Sequence, residues 1–234
     1  SKEFYNQRSM QNRRSAPTAP LNMWSLDGWD VELYYQKTFT KGGKSVTTYN
    51  NRLTVVVVLD PFNKYPVGYA IGERECAELI TEAMRNAANH TAELFGQRYR
   101  AHQIQSDHYA MKAMTPIYSV SGDKVTPARV GNAKAKPIER YFLTLNKTYC
   151  QLMPNWSGFG ITSNKNLQPN SDALNMLRKS FPDEAGCRKQ IETIIAMERA
   201  KKLDKFVAAW QGVPEDHRLP MSDEQYLLTF GAET

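Results

Sequence analysis

VVVVLDPFNKYPVGYAI, residues 55–71, is the stretch that decides the fold class of this chain. Its first five residues are all apolar, and together with residues 46–54 they predict a strand whose end is buried on both faces. Asp60, Pro61 and Asn63 are typical of a tight turn, and residues 67–71 predict the next strand. The stretch therefore predicts an antiparallel β-hairpin.

Upstream of this hairpin, β-favouring residues such as Trp24, Leu26 and Val31 predict one more strand over residues 21–39. Residues 41–44, Lys-Gly-Gly-Lys, predict the turn that joins it to the hairpin. The chain thus begins its folded part with three antiparallel strands in a meander.

Downstream, the hydrophobic period changes from strand to helix. Steps of three and four predict a helix over residues 75–95, which Gly96 ends. A strand at 101–106, a helix at 109–119 and a strand at 125–130 follow, and a loop at 131–136 leads to Pro137 at a helix start. The buried face of that last helix is predicted to carry Ile138, Tyr141, Phe142, Leu145, Tyr149 and Leu152.

Beyond Pro154 the chain is predicted to be helical, with a helix from Ser171 and a long one over residues 184–210. The inner stripe of the long helix contains Ile191, Ile194, Ile195, Leu203, Phe206, Val207 and Trp210. The element order predicts an α/β fold, a mixed five-stranded sheet flanked by helices with a C-terminal helical extension, which is the order of the ribonuclease H fold. We divide the chain into a basic flexible arm or linker (1–20), a ribonuclease H-like core (21–153) and a helical extension that completes it (154–234).

Composition narrows the functional class only modestly. The chain has 234 residues and a net charge of +6, which fits a polyanionic partner. Its three cysteines lie far apart without a CxxC pair, so neither a disulfide framework nor a zinc site is indicated. No apolar run is long enough to cross a membrane, and the polar start has no signal-peptide character, so we expect a cytoplasmic or nucleoid-associated protein without a membrane partner.

Three acidic residues stand where predicted elements begin or end. Asp27 lies within the first strand, Asp107 follows the fourth strand, and Glu139 lies in the first turn of a helix. An acid inside a strand with apolar neighbours is costly unless it is paired or bound to a metal. Two other acids are poorer candidates, because Asp30 points to the opposite face from Asp27 and Asp60 belongs to a turn.

Four motifs in order carry a family resemblance. They are Trp-x-x-Asp at 24–27, the hairpin at 57–69, the pair of segments Gln-Ser-Asp-His at 105–108 and Pro-Ile-Glu-Arg at 137–140, with thirty-one residues between Asp107 and Glu139, and the segment 210–226. In these motifs the chain resembles the DDE transposase and retroviral-type integrase catalytic cores, which belong to the ribonuclease H-like superfamily, and it is related in pattern to phage Mu-type transposases. The likeness covers about residues 21–228.

The resemblance implies an enzyme that uses two divalent cations, Mg²⁺ or Mn²⁺. Asp27 would bridge both ions, with Asp107 on one and Glu139 on the other. Such ions prefer hard oxygen ligands, and a pair of them can activate a water or 3′-hydroxyl and stabilise the leaving 3′-oxygen. The implied reaction is DNA 3′-end nicking and strand transfer, with mobile-element ends and target DNA as substrates and a homo-oligomer assembled on DNA.

Basic residues near these acids are candidate DNA contacts. The family often has a Lys on the Glu helix, one or two turns after the Glu, where this chain has Leu143 and Asn146. Arg140 and Lys147 instead share one side of the helix and could contact phosphate. Further candidates are the loop residues Lys134 and Lys136 and, beside the second acid, His108, for which a structural role is an equal alternative.

Several alternatives stay open from the sequence. Asp27 could be an ordinary strand residue, and Glu139 could be an acid favoured by the helix dipole. The chain could also be a ribonuclease H-like nuclease without strand transfer, or a catalytically inactive DNA-binding or assembly module. Products that join pre-nicked DNA to a target would distinguish the transposase from these.

Overall fold

The computed structural model describes residues 16–106, 108–127, 137–159 and 168–231, and it describes the backbone alone at residues 108–112 and 127. Within these ranges the predicted α/β class is confirmed, because a mixed five-stranded sheet is flanked by helices. The strands are β1 (Trp24–Asp30), β2 (Tyr35–Lys41), β3 (Lys44–Asn51), β4 (Thr54–Asp60), β5 (Tyr65–Gly72), β6 (Ala101–Ser106) and β7 (Gly122–Pro127). The α-helices are α1 (Ala77–Phe95), α2 (His108–Ser121), α3 (Pro137–Thr148), α4 (Ser171–Leu177), α5 (Glu184–Gln211) and α6 (Asp223–Phe230).

The large sheet has the strand order β5-β4-β1-β6-β7. Strand β4 pairs antiparallel with both β1 and β5, which confirms the predicted meander. Strands β1, β6 and β7 are mutually parallel neighbours. This mixed sheet, with helices in the connections, is consistent with the ribonuclease H-like fold.

The first two strands are shorter than predicted, and this is a correction. The chain turns away from the sheet after Asp30 and returns at Thr54, and the intervening β2 and β3 form a separate two-stranded hairpin. Val31 and Leu53 are buried and joined by a backbone hydrogen bond of 2.9 Å, so they close the base of this excursion. The hairpin is mostly polar, and Tyr35 is its one buried residue, which suits an element outside the core.

The central strand β4 is buried on both faces, as its apolar run predicts. Val56 and Val58 face a cluster that includes α1 and the end of α5. Val55, Val57 and Leu59 face a second cluster that includes α3 and the first half of α5. The sheet is therefore covered by helices on both sides.

The helices follow the predicted period closely. Helix α1 ends at Gly96, which has a φ of +81°, as expected for a left-handed C-cap. Helix α5 buries Ile191, Ile194, Ile195, Phe206 and Trp210, whereas Leu203 and Val207 are only half-buried. The domain boundary at residue 153 stays a prediction.

Two local predictions were wrong. Strand β7 begins at Gly122 rather than at residue 125. Leu152 does not continue the buried face of α3, because that helix ends at Thr148 and the 3-10 turn Cys150–Leu152 breaks the helical period. Leu152 is consequently 82% exposed, and Tyr149 is half-buried.

The cysteines and the lengths of the helices bear on redox chemistry and on membrane insertion. All three cysteines are free thiols, with Cys150 and Cys187 buried and Cys76 half-buried. Burial raises the pKa of the Cys150 and Cys187 thiols to about 12, so neither is a reactive thiolate. In the described part of the chain, every helix is too short or too polar to cross a membrane.

Candidate active site

The candidate site lies where two parallel strands reach their carboxyl ends. Strand β1 pairs with β6 in the register Trp24 with Ile104 and Ser25 with Gln105. The Ser25 hydroxyl donates a 3.4 Å hydrogen bond to the Gln105 side chain. On its other edge β1 pairs antiparallel with β4. The strand order reverses at β1, because the chain continues to β4 and β5 on one side and later to β6 and β7 on the other. In open α/β sheets, ligands bind beyond the carboxyl ends of the strands at such a reversal.

Asp27 lies in β1 beyond the described pairs with β6. It is half-buried and stands opposite Val57 of β4, which belongs to the cluster on the α3 side of the sheet. Residues directly opposite in an antiparallel pair share a face, so the Asp27 side chain faces the α3 side. Its Oδ1 accepts a 3.0 Å hydrogen bond from the backbone N–H of Gly28.

Helix α3 packs against β1. Near the helix middle, Phe142 stacks on Trp29, with ring centroids 5.3 Å apart. One turn later Asn146 accepts a 2.8 Å hydrogen bond from Trp156, and Trp156 forms a β-bridge with Leu33, downstream of β1. The end of α3 is thus linked to the chain that follows β1.

Two of the predicted acids precede the Trp29–Phe142 contact, each on its own element. Glu139 precedes Phe142 by one helical turn, and Asp27 precedes Trp29 by two strand residues. Because residues three apart in a helix, and two apart in a strand, share a face, both carboxylates belong to the surfaces that α3 and β1 turn to each other. Glu139 is half-buried, like Asp27.

The third acid, Asp107, lies outside the described residues, as do Lys134 and Lys136. His108 is the first residue of α2, and only its backbone is described. Among the described residues, which exclude Asp107, no group of three His, Cys, Asp or Glu side chains is placed to hold a metal. Two half-buried carboxylates on facing elements nevertheless supply hard oxygen donors of the kind that Mg²⁺ or Mn²⁺ takes. Their assignment as ligands stays a prediction.

The basic residues of α3 lie on its outside. Arg140 and Lys147 are both exposed, and their spacing of seven residues puts them on one side of the helix. Asn146, which stands where the family often has Lys, is buried and donates a 3.2 Å hydrogen bond to the Gly158 carbonyl. Asn146 therefore anchors the segment after α3 and is not available to DNA.

The two acids that the sequence analysis set aside have structural partners. Asp30 pairs with Thr54 on the opposite face from Asp27 and accepts a 2.6 Å hydrogen bond from the Thr54 hydroxyl. Asp60 is fully buried and accepts backbone hydrogen bonds from Leu21 (2.7 Å) and Phe62 (3.0 Å). Burial raises the pKa of Asp60 to about 7, even though these two hydrogen bonds lower it.

Sequence reasoning missed a buried charged group that holds α3 in place. Glu198 of α5 is 3% exposed and accepts hydrogen bonds from Tyr149, just after α3, at 2.7 Å and from Lys202. Burial by itself raises the pKa of Glu198, but these two hydrogen bonds outweigh it, and the net pKa is lowered. The signal in the sequence was the i,i+4 spacing of Glu198 and Lys202 on a predicted helix, although such pairs are usually exposed.

Comparisons with known proteins add a distant structural likeness. No protein-family model matches the chain, and no curated protein matches it. Among solved structures, the chain is similar to one in the cryo-EM structure of the simian T-cell lymphotropic virus intasome in complex with PP2A regulatory subunit B56 gamma. The identity is 14%, the TM-score is 0.36, and the match covers 71% of this chain and 50% of that one. The chain thus spans half the length of the chain that it matches.

Proposed function

We propose that this chain is the catalytic core of a DNA transposase or integrase that nicks DNA 3′ ends and transfers them to target DNA with two divalent cations. The observation that carries the proposal is that Asp27 and Glu139 are half-buried acids on β1 and α3, two elements joined by the Trp29–Phe142 stack. The four sequence motifs in order, and the mixed sheet that fits a ribonuclease H-like fold, support it.

The sequence position of Asp107 supports it as the third ligand. Asp107 directly follows Ser106, the last residue of β6, and β6 lies beside β1 in the sheet. The second acid of the motif therefore follows the strand next to the one that carries Asp27.

In the proposed mechanism the chain's own residues position the ligands. Asp27, Asp107 and Glu139 would hold the two ions, and the Gly28 N–H donates a hydrogen bond to Asp27 Oδ1. Val57 and the stacked Trp29 and Phe142 give the site an apolar wall, which strengthens electrostatic interactions within it. The bound ions would activate a water or 3′-hydroxyl and stabilise the leaving 3′-oxygen.

DNA is the proposed partner of the surface around this site. The exposed Arg140 and Lys147 would contact phosphates, together with Lys134, Lys136 and His108. Two mobile-element ends have to be joined together, so we propose a homo-oligomer on DNA. A DNA substrate also fits the expected cytoplasmic or nucleoid location.

The test uses the full chain with a labelled duplex that carries a free 3′-hydroxyl, a supercoiled plasmid and Mn²⁺. We expect label joined to the plasmid, and we expect EDTA to abolish joining. Cleavage without joining would favour the nuclease, and DNA binding without any metal-dependent product would favour the inactive module. Either of these results would contradict the proposal.

A further inference from the structure

A groove of about 310 Å³ lies between the β4–β5 turn and α5. Its walls include Phe62 and Lys64 from the turn and Lys201, Lys202 and Lys205 from the helix. Lys64, Lys201 and Lys205 are exposed, and we refer to these three as the lysine surface. The groove is thus lined by positive charge.

The turn is fixed to the helix by hydrogen bonds that use Lys202 internally. The Asn63 side chain donates to the Lys202 carbonyl at 3.0 Å, and the Lys202 ammonium donates to the Lys64 carbonyl at 2.7 Å. Lys202 is also paired with the buried Glu198. The charge of Lys202 is therefore already neutralised, and the hydrogen bonds that fix the turn to the helix leave the ammonium groups of Lys64, Lys201 and Lys205 unused.

The three exposed lysines have little acidic compensation. In the described part of the chain, none of them forms an ion pair with a carboxylate. Lys201 and Lys205 are one helical turn apart and share a face, whereas Asp204 lies about 60° to one side of Lys201. Lys205 is held over the Phe62 ring, with its ammonium 5.7 Å from the ring centroid. The surface keeps a net positive charge.

Lys64 adds a backbone observation. It has a φ of +59°, in the left-handed region that favours glycine or asparagine. A lysine therefore occupies a turn position where glycine would be less strained. A need for the positive charge of Lys64 at this turn position would explain the strain.

We propose that the lysine surface binds the phosphate backbone of DNA, as a contact separate from the carboxylates. The inference rests on the proposed function for its choice of DNA. Along β4, Asp60, which precedes the turn, lies three residue steps beyond Val57, the partner of Asp27, a rise of roughly 10 Å. The lysine surface is therefore a contact distinct from the carboxylates on the same sheet.

The experiment measures binding of the full chain to a fluorescent 30-base-pair duplex in EDTA, from 50 to 200 mM salt, so that no cleavage occurs. The variants are Lys201→Gln/Lys205→Gln and Lys64→Gly. The control is Lys189→Gln, a lysine of the same helix that is 78% exposed and lies 3.7 Å from Glu192. The measured quantity is the ratio of the affinity at 50 mM salt to the affinity at 200 mM salt. Each lysine removed from the surface should make this ratio about threefold smaller than in the wild type.

Lys64→Gly is the most discriminating variant, because it should bind DNA more weakly while melting no lower than the wild type. The inference is overturned if the lysine variants bind like Lys189→Gln, if the wild type does not bind the duplex, or if it prefers an RNA duplex of the same sequence. Salt-sensitive binding without metal-dependent products would leave the lysine surface standing and reject the proposed catalysis. DNA joining by the wild type, together with unchanged DNA binding by the lysine variants, would support the proposed catalysis and reject the lysine surface.

Discussion

Trp29 of β1 and Phe142 of α3 stack with their ring centroids 5.3 Å apart and their planes inclined by 19°. The contact joins the strand that carries Asp27 to the helix that carries Glu139. Trp29 is itself oriented by a 2.9 Å hydrogen bond from its ring N–H to Glu32. The pair therefore sets how α3 lies on β1, and with it the separation of the two carboxylates.

Replacing Phe142 by leucine tests this positioning role. We expect the variant to lose about 1–2 kcal/mol of unfolding free energy, because an aromatic pair is lost. We also expect it to need severalfold more Mn²⁺ for half-maximal activity, because Glu139 is displaced. The measurements are urea denaturation and a metal titration of DNA joining.

Phe230→Leu is the matched control for that variant. Phe230 is 5% exposed, against 7% for Phe142, and its ring also lies 5.3 Å from another aromatic ring, that of Tyr226. It belongs to the cluster on the other side of the sheet. We expect Phe230→Leu to lose a similar amount of stability and to need no more Mn²⁺ than the wild type. If both variants needed equally more Mn²⁺ for half-maximal activity, Phe142 would have no special role in positioning Glu139.

Asp27→Asn and Glu139→Gln are predicted to abolish metal-dependent joining with little effect on folding. A loss of about a thousandfold corresponds to about 4 kcal/mol of transition-state stabilisation. Asp30→Asn is the control, because Asp30 is an exposed acid of the same strand on the opposite face. Joining rates at saturating Mn²⁺ decide the matter, and wild-type rates in Asp27→Asn would be incompatible with the proposed site.

The buried ion pair of Glu198 and Lys202 predicts a non-additive pair of mutations. Glu198→Gln leaves the half-buried Lys202 without its partner and should cost about 3–5 kcal/mol of unfolding free energy. Changing both residues to methionine should recover most of this loss. At the exposed pair Lys189 and Glu192, Glu192→Gln should cost less than about 1 kcal/mol. Chemical denaturation of these three variants and the wild type gives the answer, and a double variant that is less stable than Glu198→Gln would contradict burial as the cause.

Asp60 predicts a pH dependence of stability. Its pKa is about 7 in the folded protein against 3.8 for an ordinary Asp, so the folded state holds the proton more tightly between these values. The contribution of this group to the free energy of unfolding is therefore full below about pH 4 and is lost as pH rises through 7. The loss has an upper limit of about 4 kcal/mol. Urea denaturation from pH 4 to 8 should show this decline in the wild type but not in Asp60→Asn, and parallel profiles would refute it.

At Gly68 the backbone of β5 lies very close to the backbone of α1. A Cβ at this residue would lie 2.5 Å from the Ala83 carbonyl oxygen and 2.6 Å from the Ala87 nitrogen, both in the helix backbone. At Gly28 the nearest atom is the end of the flexible Glu75 side chain. Thermal melts should therefore show that Gly68→Ala costs about 3 kcal/mol or more and Gly28→Ala much less. Equal losses would indicate that α1 packs less closely on β5.

The order of elements was predictable because local signals agree with the tertiary structure. The apolar run that ends at Leu59 is buried on both faces, and Gly96 ends α1 in the expected left-handed conformation. The detached β2–β3 hairpin was not predictable, because β-favouring residues continue past Asp30 and do not mark a change of sheet.

At the site, the sequence identified which acids to consider but not how they are positioned. The opposite faces of Asp27 and Asp30 followed from strand alternation, as the pairing of β1 with β4 confirms. The Trp29–Phe142 stack and the burial of Glu198 depend on contacts between distant parts of the chain. Spacing within one element carries no information on such contacts.

The most direct test of the central claim is a crystal structure of the protein soaked with Mn²⁺, with the ions located by their anomalous scattering. We expect two peaks about 4 Å apart, bound by the carboxylates of Asp27, Asp107 and Glu139. Three carboxylates on separate surfaces, or no manganese between Asp27 and Glu139 at saturating concentration, would contradict the account.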